Sequence, residues 1–461
     1  MLIADSNEDL QRMYSLVKRI PEGLEEMIKE IEVHITQQLA TAIESFGEDV
    51  VNNPKSYVQS ILEVHNKYST LLKTAFDSDP GFVGSLDKAS KKIINENSAS
   101  QATNSSRKSA KLLAKYCDSL LKKSAHNPEE AELEKCINDF MIVFKYIQEK
   151  DVFETNYRGF LCRRLIQETS ASDDAEASMI TALKDACDFQ YTSKLENMFK
   201  DIGVSKDVND RFQNSLVMES LNMNFSVKVL TSGFWSLKSF VPFNLPSVLE
   251  RPMSLFTTFY DRQHSGRTLK WMHNMSRGEL MTHCFKNKHI LIVSTYQIAV
   301  LMQFNMNLAY TVGQLHNTTM IPLEILIQVV KQLLKLQLLK SEDEADKVTA
   351  DTILNLFLGY NNKKLRIKID APLNLEAKKE QERTDEFVDE ERKLILQVTT
   401  VRIMKARNTL KHNLLVAEIC KQTRHRFKAD LPMIRKVINS LIEKEFIARD
   451  EGERNTYVYV A

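Results

Sequence analysis

Lys405 stands in the stretch VRIMKARNTLKH, with Arg402 one turn before it and Arg407 and Lys411 within two turns after it. A lysine on a basic helix is ordinarily just a solvated charge. Here the like charges around it also favour the neutral amine, the form that attacks an activated carbonyl. That chemistry is isopeptide formation, with Lys405 as the acceptor. The other nucleophile candidates are weaker. His283 and Cys284 are sequence neighbours inside a period-two pattern, so they are expected on opposite faces of a strand, with Cys284 a core thiol. The six cysteines, Cys117, Cys136, Cys162, Cys187, Cys284 and Cys420, have no CxxC or CxxH spacing. Neither a zinc site nor a disulfide framework is indicated, and reduced core thiols of the cytoplasm or nucleus are expected. The sequence also lacks a glycine-rich phosphate loop, HExxH and GxSxG, so it offers no catalytic residue, metal or cofactor site.

The elements that must position Lys405 follow from composition and period. The chain has 461 residues, 43% hydrophobic, with only 12 Gly and 10 Pro, which favours a mostly α protein of several modules. No leader-like segment opens the sequence and no apolar run reaches the roughly 18 residues of a membrane span, so no membrane partner is expected. Residues 1–97 read as helices broken at Pro21, at Pro54 and at Asp77–Gly81. The polar stretch 98–107 separates them from four amphipathic segments within 107–220, a four-helix bundle with helix starts at Asn127–Pro128 and at Ser172–Asp174.

The period then changes to two. In LNMNFSVKV, residues 221–229, the apolar Phe225, Val227 and Val229 alternate with Ser226 and Lys228, the pattern of a half-buried strand. TLKWMHN, GELMTHCF, HILIVST and LRIKID continue a sheet across 221–372. An insertion at about 295–345 carries three helices, the longest opened by Pro322 at its first position, and suggests a winged helix. Residues 376–392 are so charged that a hinge or solvated helix is expected. Residues 391–461 repeat the winged-helix order, with a helix from about Leu394 to Leu410 that carries Lys405.

Charge leaves two functions open. The whole chain has a formal charge of only +1, but residues 391–461 hold 15 Lys and Arg against 8 Asp and Glu, a formal +7. Arg435, Lys436 and Lys444 fall on or beside the third helix, where a DNA reader places its contacts. The same fold and the same basic face also serve protein assembly.

The segments DVFETNYRGFLCRRLIQETSASDDAEASMITALK and VRIMKAR, with the ending EGERNTYVYVA, closely resemble the cullins, especially those of SCF-type ubiquitin ligases. The resemblance covers essentially the whole chain. It implies the end of a stalk of helical cullin repeats, a four-helix bundle, an α/β region with an inserted winged helix, and a terminal winged helix. It implies that Lys405 accepts a ubiquitin-like modifier (neddylation) from its conjugating enzyme. It further implies a non-enzymatic scaffold whose α/β region binds a RING-box protein, which in turn recruits a ubiquitin-conjugating enzyme for ubiquitin-dependent degradation. LNMNFSVKV, with Phe225, Val227 and Val229, is the candidate for that docking. The repeats that hold the adaptor and substrate receptor have no counterpart here, so the adaptor is not expected as a partner. Asn408 and the YVYVA ending depart from the family pattern, and neither touches Lys405. DNA binding is the second reading.

Overall fold

The computed structural model describes residues 7–45, 53–96, 107–124, 129–187, 189–215, 221, 223–235, 237, 242–342, 347–369, 374–450, 452–453 and 455–460. It divides into two compact units. One comprises residues 1–199, 232–235 and 383–461, and the other 200–231 and 236–382. The expected break at 98–107, apart from Arg107, and the expected helix start at Asn127–Pro128 lie outside the described residues.

The first unit begins with four helices: α1 (Asn7–Val17), α2 (Leu24–Glu44), α3 (Pro54–Ala75) and α4 (Pro80–Asn95). The breaks between them have the expected chemistry. Asn53 accepts from the Ser56 amide and Asp79 from the Gly81 amide, each just before a proline in the first turn. α2 buries Ile31, Ile35, Leu39 and Ile43, a four-residue stripe. It meets α4 at Gly81, where a Cβ would lie 2.6 Å from the Ile28 δ-methyl, so that methyl would have to shift. Tyr14, Phe76 and Phe82 close the array with ring centroids 4.4–5.8 Å apart.

Five further helices follow: α5 (Lys108–Leu121), α6 (Glu130–Tyr146), α7 (Lys150–Gln167), α8 (Asp173–Ala186) and α9 (Phe189–Gln213), the last belonging to the second unit from Lys200 onward. Ser172 caps α8 at the Ala175 amide, with Asp173, Asp174 and Glu176 in the first turn, as its sequence predicts. α7 buries charge as well as hydrocarbon. Arg164 grips Glu176 through Nε and Nη2, at 2.6 and 2.9 Å, and reaches Asp118 with Nη1 at 2.6 Å. This pins α5, α7 and α8 together. Burial opposes the charged guanidinium, but Glu176, Tyr157 and Asp118 outweigh it and hold the group protonated.

Helix α14 (Asn374–Arg407) corrects the hinge expectation, and it starts well before the predicted Leu394. From Asp385 onward it is docked. Asp385 and Asp389 pair with Lys111 (2.7 Å) and Arg107 (2.5 Å) of the α5 region, and Glu391 pairs with Lys194 (2.6 Å). Val388 is buried, and Arg392 is buried against Glu149 and Asp151. A charged segment can be held when each charge meets its opposite on the neighbouring helices.

After α14 come β7 (Thr409–Lys411), α15 (His412–Thr423), α16 (Leu431–Glu443), β8 (Ile447–Arg449) and β9 (Thr456–Tyr459), a winged helix with antiparallel sheet order β7-β9-β8. Leu396, Ile403 and Met404 of α14 share its core with Leu415, Ile419, Phe427, Ile434, Val437, Leu441 and Tyr457.

The second unit contains α10 (Ser247–Gln263) and a sheet of β1 (Arg277–Met281), β2 (Ile290–Ser294) and β6 (Arg366–Lys368), in order β1-β2-β6 with β6 parallel to β2. Between β2 and β6 lies the inserted winged helix: α11 (Thr295–Gln303), β3 (Ala309–Thr311), α12 (Val312–Thr319), α13 (Leu323–Lys335), β4 (Leu339–Lys340) and β5 (Ile353–Leu356). Its sheet, β3-β5-β4, repeats the terminal module's order. Capping boxes at Ser294/Gln297 and Thr311/Gln314 start α11 and α12. Pro322 is the cap residue of α13, one position before the predicted place. Two predicted strands join no ladder: 268–274 runs into a single 3₁₀ turn at His273–Met275, and 223–231 is extended but pairs with side chains.

Replacing Arg164 with Met should strand the Glu176 carboxylate in the core. A loss of roughly 3–5 kcal/mol of unfolding free energy is expected, read as a lower urea midpoint for the helical unit; an unchanged midpoint would mean that the buried pair contributes no net stability.

Candidate modification and docking sites

Lys405 lies in the last turn of α14 and is exposed, while its neighbours Ile403 and Met404 are buried. The helical period turns Lys405 outward because the adjoining side chains are turned inward. The helix then ends abruptly. Asn408 takes φ +60°, donates its N–H to the Met404 carbonyl at 2.8 Å, and accepts from the Tyr459 amide at 2.8 Å. An asparagine tolerates this left-handed position better than most side chains, which gives its departure from the family pattern a physical reason. β7 follows at once, pairing Thr409, Leu410 and Lys411 with Val458, Tyr457 and Thr456. The predicted helix to Leu410 is therefore shortened, and Lys405 sits on a helix end stitched to the last strand.

Two of the three neighbouring cations have polar partners. Arg402 donates to Gln422 of α15 at 2.7 Å, and Lys411 lies 3.5 Å from Glu453. A hydrogen bond from Thr456, then the Lys411 charge, holds the Glu453 carboxyl below its ordinary value. Lys405 itself is exposed on the helix end. Arg435, Lys436 and Lys444 are exposed on and just beyond α16.

Cys284 is a correction. It lies exposed in the turn between β1 and β2, because β1 ends at Met281 and the period-two reading ran past the strand. Partial desolvation raises its thiol pKa, the wrong direction for a nucleophile. Cys117 and Cys162 are buried, Cys136, Cys187 and Cys420 partly so. Among the described residues no group of three or more His, Cys, Asp or Glu could hold a metal ion, and no helix is long and apolar enough to cross a membrane.

Phe225, Val227 and Val229 are together. All three lie half-buried against Val208 and Phe212 of α9 and Phe256 and Tyr260 of α10, a cluster that also takes Leu269 and Trp271. The polar partners of the segment are on α9 and escaped the sequence reading. Asn209 bonds both the carbonyl and the amide of Val227, the latter at 2.8 Å. Ser205 does the same for Val229, at 2.9 and 2.8 Å. Asp201 accepts from the Thr231 amide at 2.7 Å, and Gln213 donates to the Phe225 carbonyl at 3.2 Å. The signal was present as polar side chains every four residues along α9, directly before an alternating stretch.

This arrangement of helices, α/β sheet and two winged helices coincides with three matches to one family. The cullin alpha solenoid domain matches residues 1–209, the cullin alpha+beta domain 229–359, and the cullin protein neddylation domain 391–453. The chain belongs to the cullin family. Among curated cullins, it is 42% identical to Cullin-1 of Dictyostelium discoideum over 470 residues, 37% to Cullin-1 of Caenorhabditis elegans over 470, and 35% to Cullin-1 of Schizosaccharomyces pombe over 469. Each comparison covers 100% of this chain and 60–61% of the relative, so the chain spans about three fifths of the length of the cullins it matches. Lys405 falls inside the region matched by the neddylation domain.

Asn408→Val puts a β-branched side chain at a left-handed position and should lower the stability of this cullin's terminal module by about 1–2 kcal/mol. Asn408→Gly should leave it nearly unchanged. Thermal melting of the two variants separates a conformational role from a side-chain contact.

Proposed function

We propose that this chain is a non-catalytic scaffold of an SCF-type cullin-RING ubiquitin ligase, acting in ubiquitin-dependent protein degradation and itself modified at Lys405. The observation that carries the reading is an exposed lysine on a rigid helix end, within the region matched by the cullin protein neddylation domain. The conjugating enzyme supplies the modifier with an activated C-terminal carbonyl. The Lys405 amine forms a bond to that carbon, the bond to the activating group breaks, and the amine proton is lost. The chain contributes presentation of the acceptor.

The docking half of the proposal places a RING-box protein on the segment 223–231. Strand addition fits it because the backbone is already extended and the apolar side chains are already covered from below. The RING-box subunit then brings the ubiquitin-conjugating enzyme. The family matches favour this assembly over DNA binding, which would have to rest on the exposed basic residues of α16 alone.

Lys405→Arg keeps the charge and the helix propensity but removes the acceptor. In a reconstituted modification reaction it should abolish a single modifier-sized mass shift with the circular dichroism spectrum unchanged. A shifted band that persists in the variant would sink the assignment.

A further inference from the structure

The bonds between α9 and the extended segment form a ladder. Asp201, Ser205, Asn209 and Gln213 are four residues apart on one face of the helix, and they bond in order to residues 231, 229, 227 and 225. The two chains run antiparallel. Four helical residues rise ~6 Å, and two extended residues advance ~6.6–6.8 Å, so the two repeats match closely enough for consecutive rungs. The mismatch accumulates to roughly 2 Å over the three steps. Side-chain length can absorb this: the long Gln213 makes the outermost bond at 3.2 Å, whereas the short Ser205 bonds at 2.8 and 2.9 Å.

The rungs at Ser205 and Asn209 each satisfy both the N–H and the C=O of one residue, as a neighbouring β-strand would. In an extended chain, the backbone groups of successive residues point to opposite edges. With residues 225, 227, 229 and 231 turned to the helix, residues 224, 226, 228 and 230 present the other edge. A second device fixes the same register. Phe225, Val227 and Val229 cover the Phe212–Phe256 cluster, and a slip by one residue would drive Ser226 and Lys228 into it.

We propose that α9 is a surrogate strand, and that Asp201, Ser205, Asn209 and Gln213 are positioning residues for partner docking. They hold 225–231 extended before any partner arrives and determine which edge is offered. This rests on the reading that a RING-box protein docks here by strand addition. The ligand chemistry is an extended peptide backbone, read by alternating donors and acceptors. An edge already ordered spares the incoming strand the cost of ordering it, so the rungs act on affinity without touching the partner.

Three variants of the full chain test the inference against purified RING-box protein. In the free protein, amide exchange should be slow at Val227, Val229 and Thr231, alternating with faster exchange at Ser226 and Leu230. The double variant Ser205→Ala/Asn209→Ala should erase that alternation, preserve protection along α9, and weaken docking roughly tenfold. Restoring the hydroxyl, as Ser205→Thr/Asn209→Ala, should recover part of both. Ser226→Pro removes a donor from the opposite edge and should abolish docking with the α9 rungs intact. Full docking by Ser226→Pro would defeat the strand-addition reading itself. If Ser226→Pro fails to dock while Ser205→Ala/Asn209→Ala docks like the parent, the ladder inference alone is overturned. It also falls if α9 loses its own protection in the double variant, because the rungs would then be part of helix packing.

Discussion

The first unit depends on one buried guanidinium. Arg392 is held by Asp151 through two nitrogens, at 2.5 and 2.8 Å, and by Glu149. Its other face lies over the Phe427 ring, 4.7 Å from the centroid. Phe427 belongs to the core of the terminal winged helix, and the two carboxylates belong to the α6–α7 junction. One side chain thus touches a bundle and a module at once. Burial works against its charge, but Asp151 and Glu149 more than compensate. Such a contact is conditional on the guanidinium, because removing it leaves the Glu149 and Asp151 carboxylates without their counter-charge.

That clamp bears on where Lys405 stands. From Arg392 to Lys405 the chain is uninterrupted helix, a rise of roughly 20 Å, with Leu396, Ile403 and Met404 locked in the module core along the way. Lys405 is therefore as fixed as the helix that carries it. Its own side chain needs no partner to be placed, because the αL turn at Asn408 and the β7–β9 pairing finish the helix immediately beyond it.

Local signals in the sequence were read well where they were self-contained. Ser172 with its acids, Asn53 and Asp79 before prolines, and the repeated winged-helix order all act within a few residues. The readings that failed needed a second segment. Within 376–392, Asp385, Asp389, Glu391 and Arg392 look solvated in the sequence because their partners, among them Arg107, Lys111, Arg158, Lys194, Glu149 and Asp151, lie far away along the chain. LNMNFSVKV has the period of a strand, and the structure keeps that period with helix side chains in place of a neighbouring strand. A period-two pattern does not announce its end, so the sequence implies a core thiol at Cys284 where the structure has an exposed turn. At Lys405 the sequence shows the surrounding cations, and the structure adds partners that lie farther along the chain: Gln422 for Arg402 and Glu453 for Lys411.

The ladder on α9 has a consequence for how this chain could vary. Apart from the Thr231 hydroxyl, which donates to Asp201 at 2.9 Å, the rung bonds go to the main chain of residues 225–231, and a main chain is the same whatever side chains it carries. Substitution on the open positions Asn224 and Ser226 leaves every rung in place. Exchange of a single rung for an apolar residue removes bonds that nothing in the segment can replace. The information that specifies the shape of this stretch is thus written largely in a neighbouring helix, and the stretch itself is comparatively free to drift.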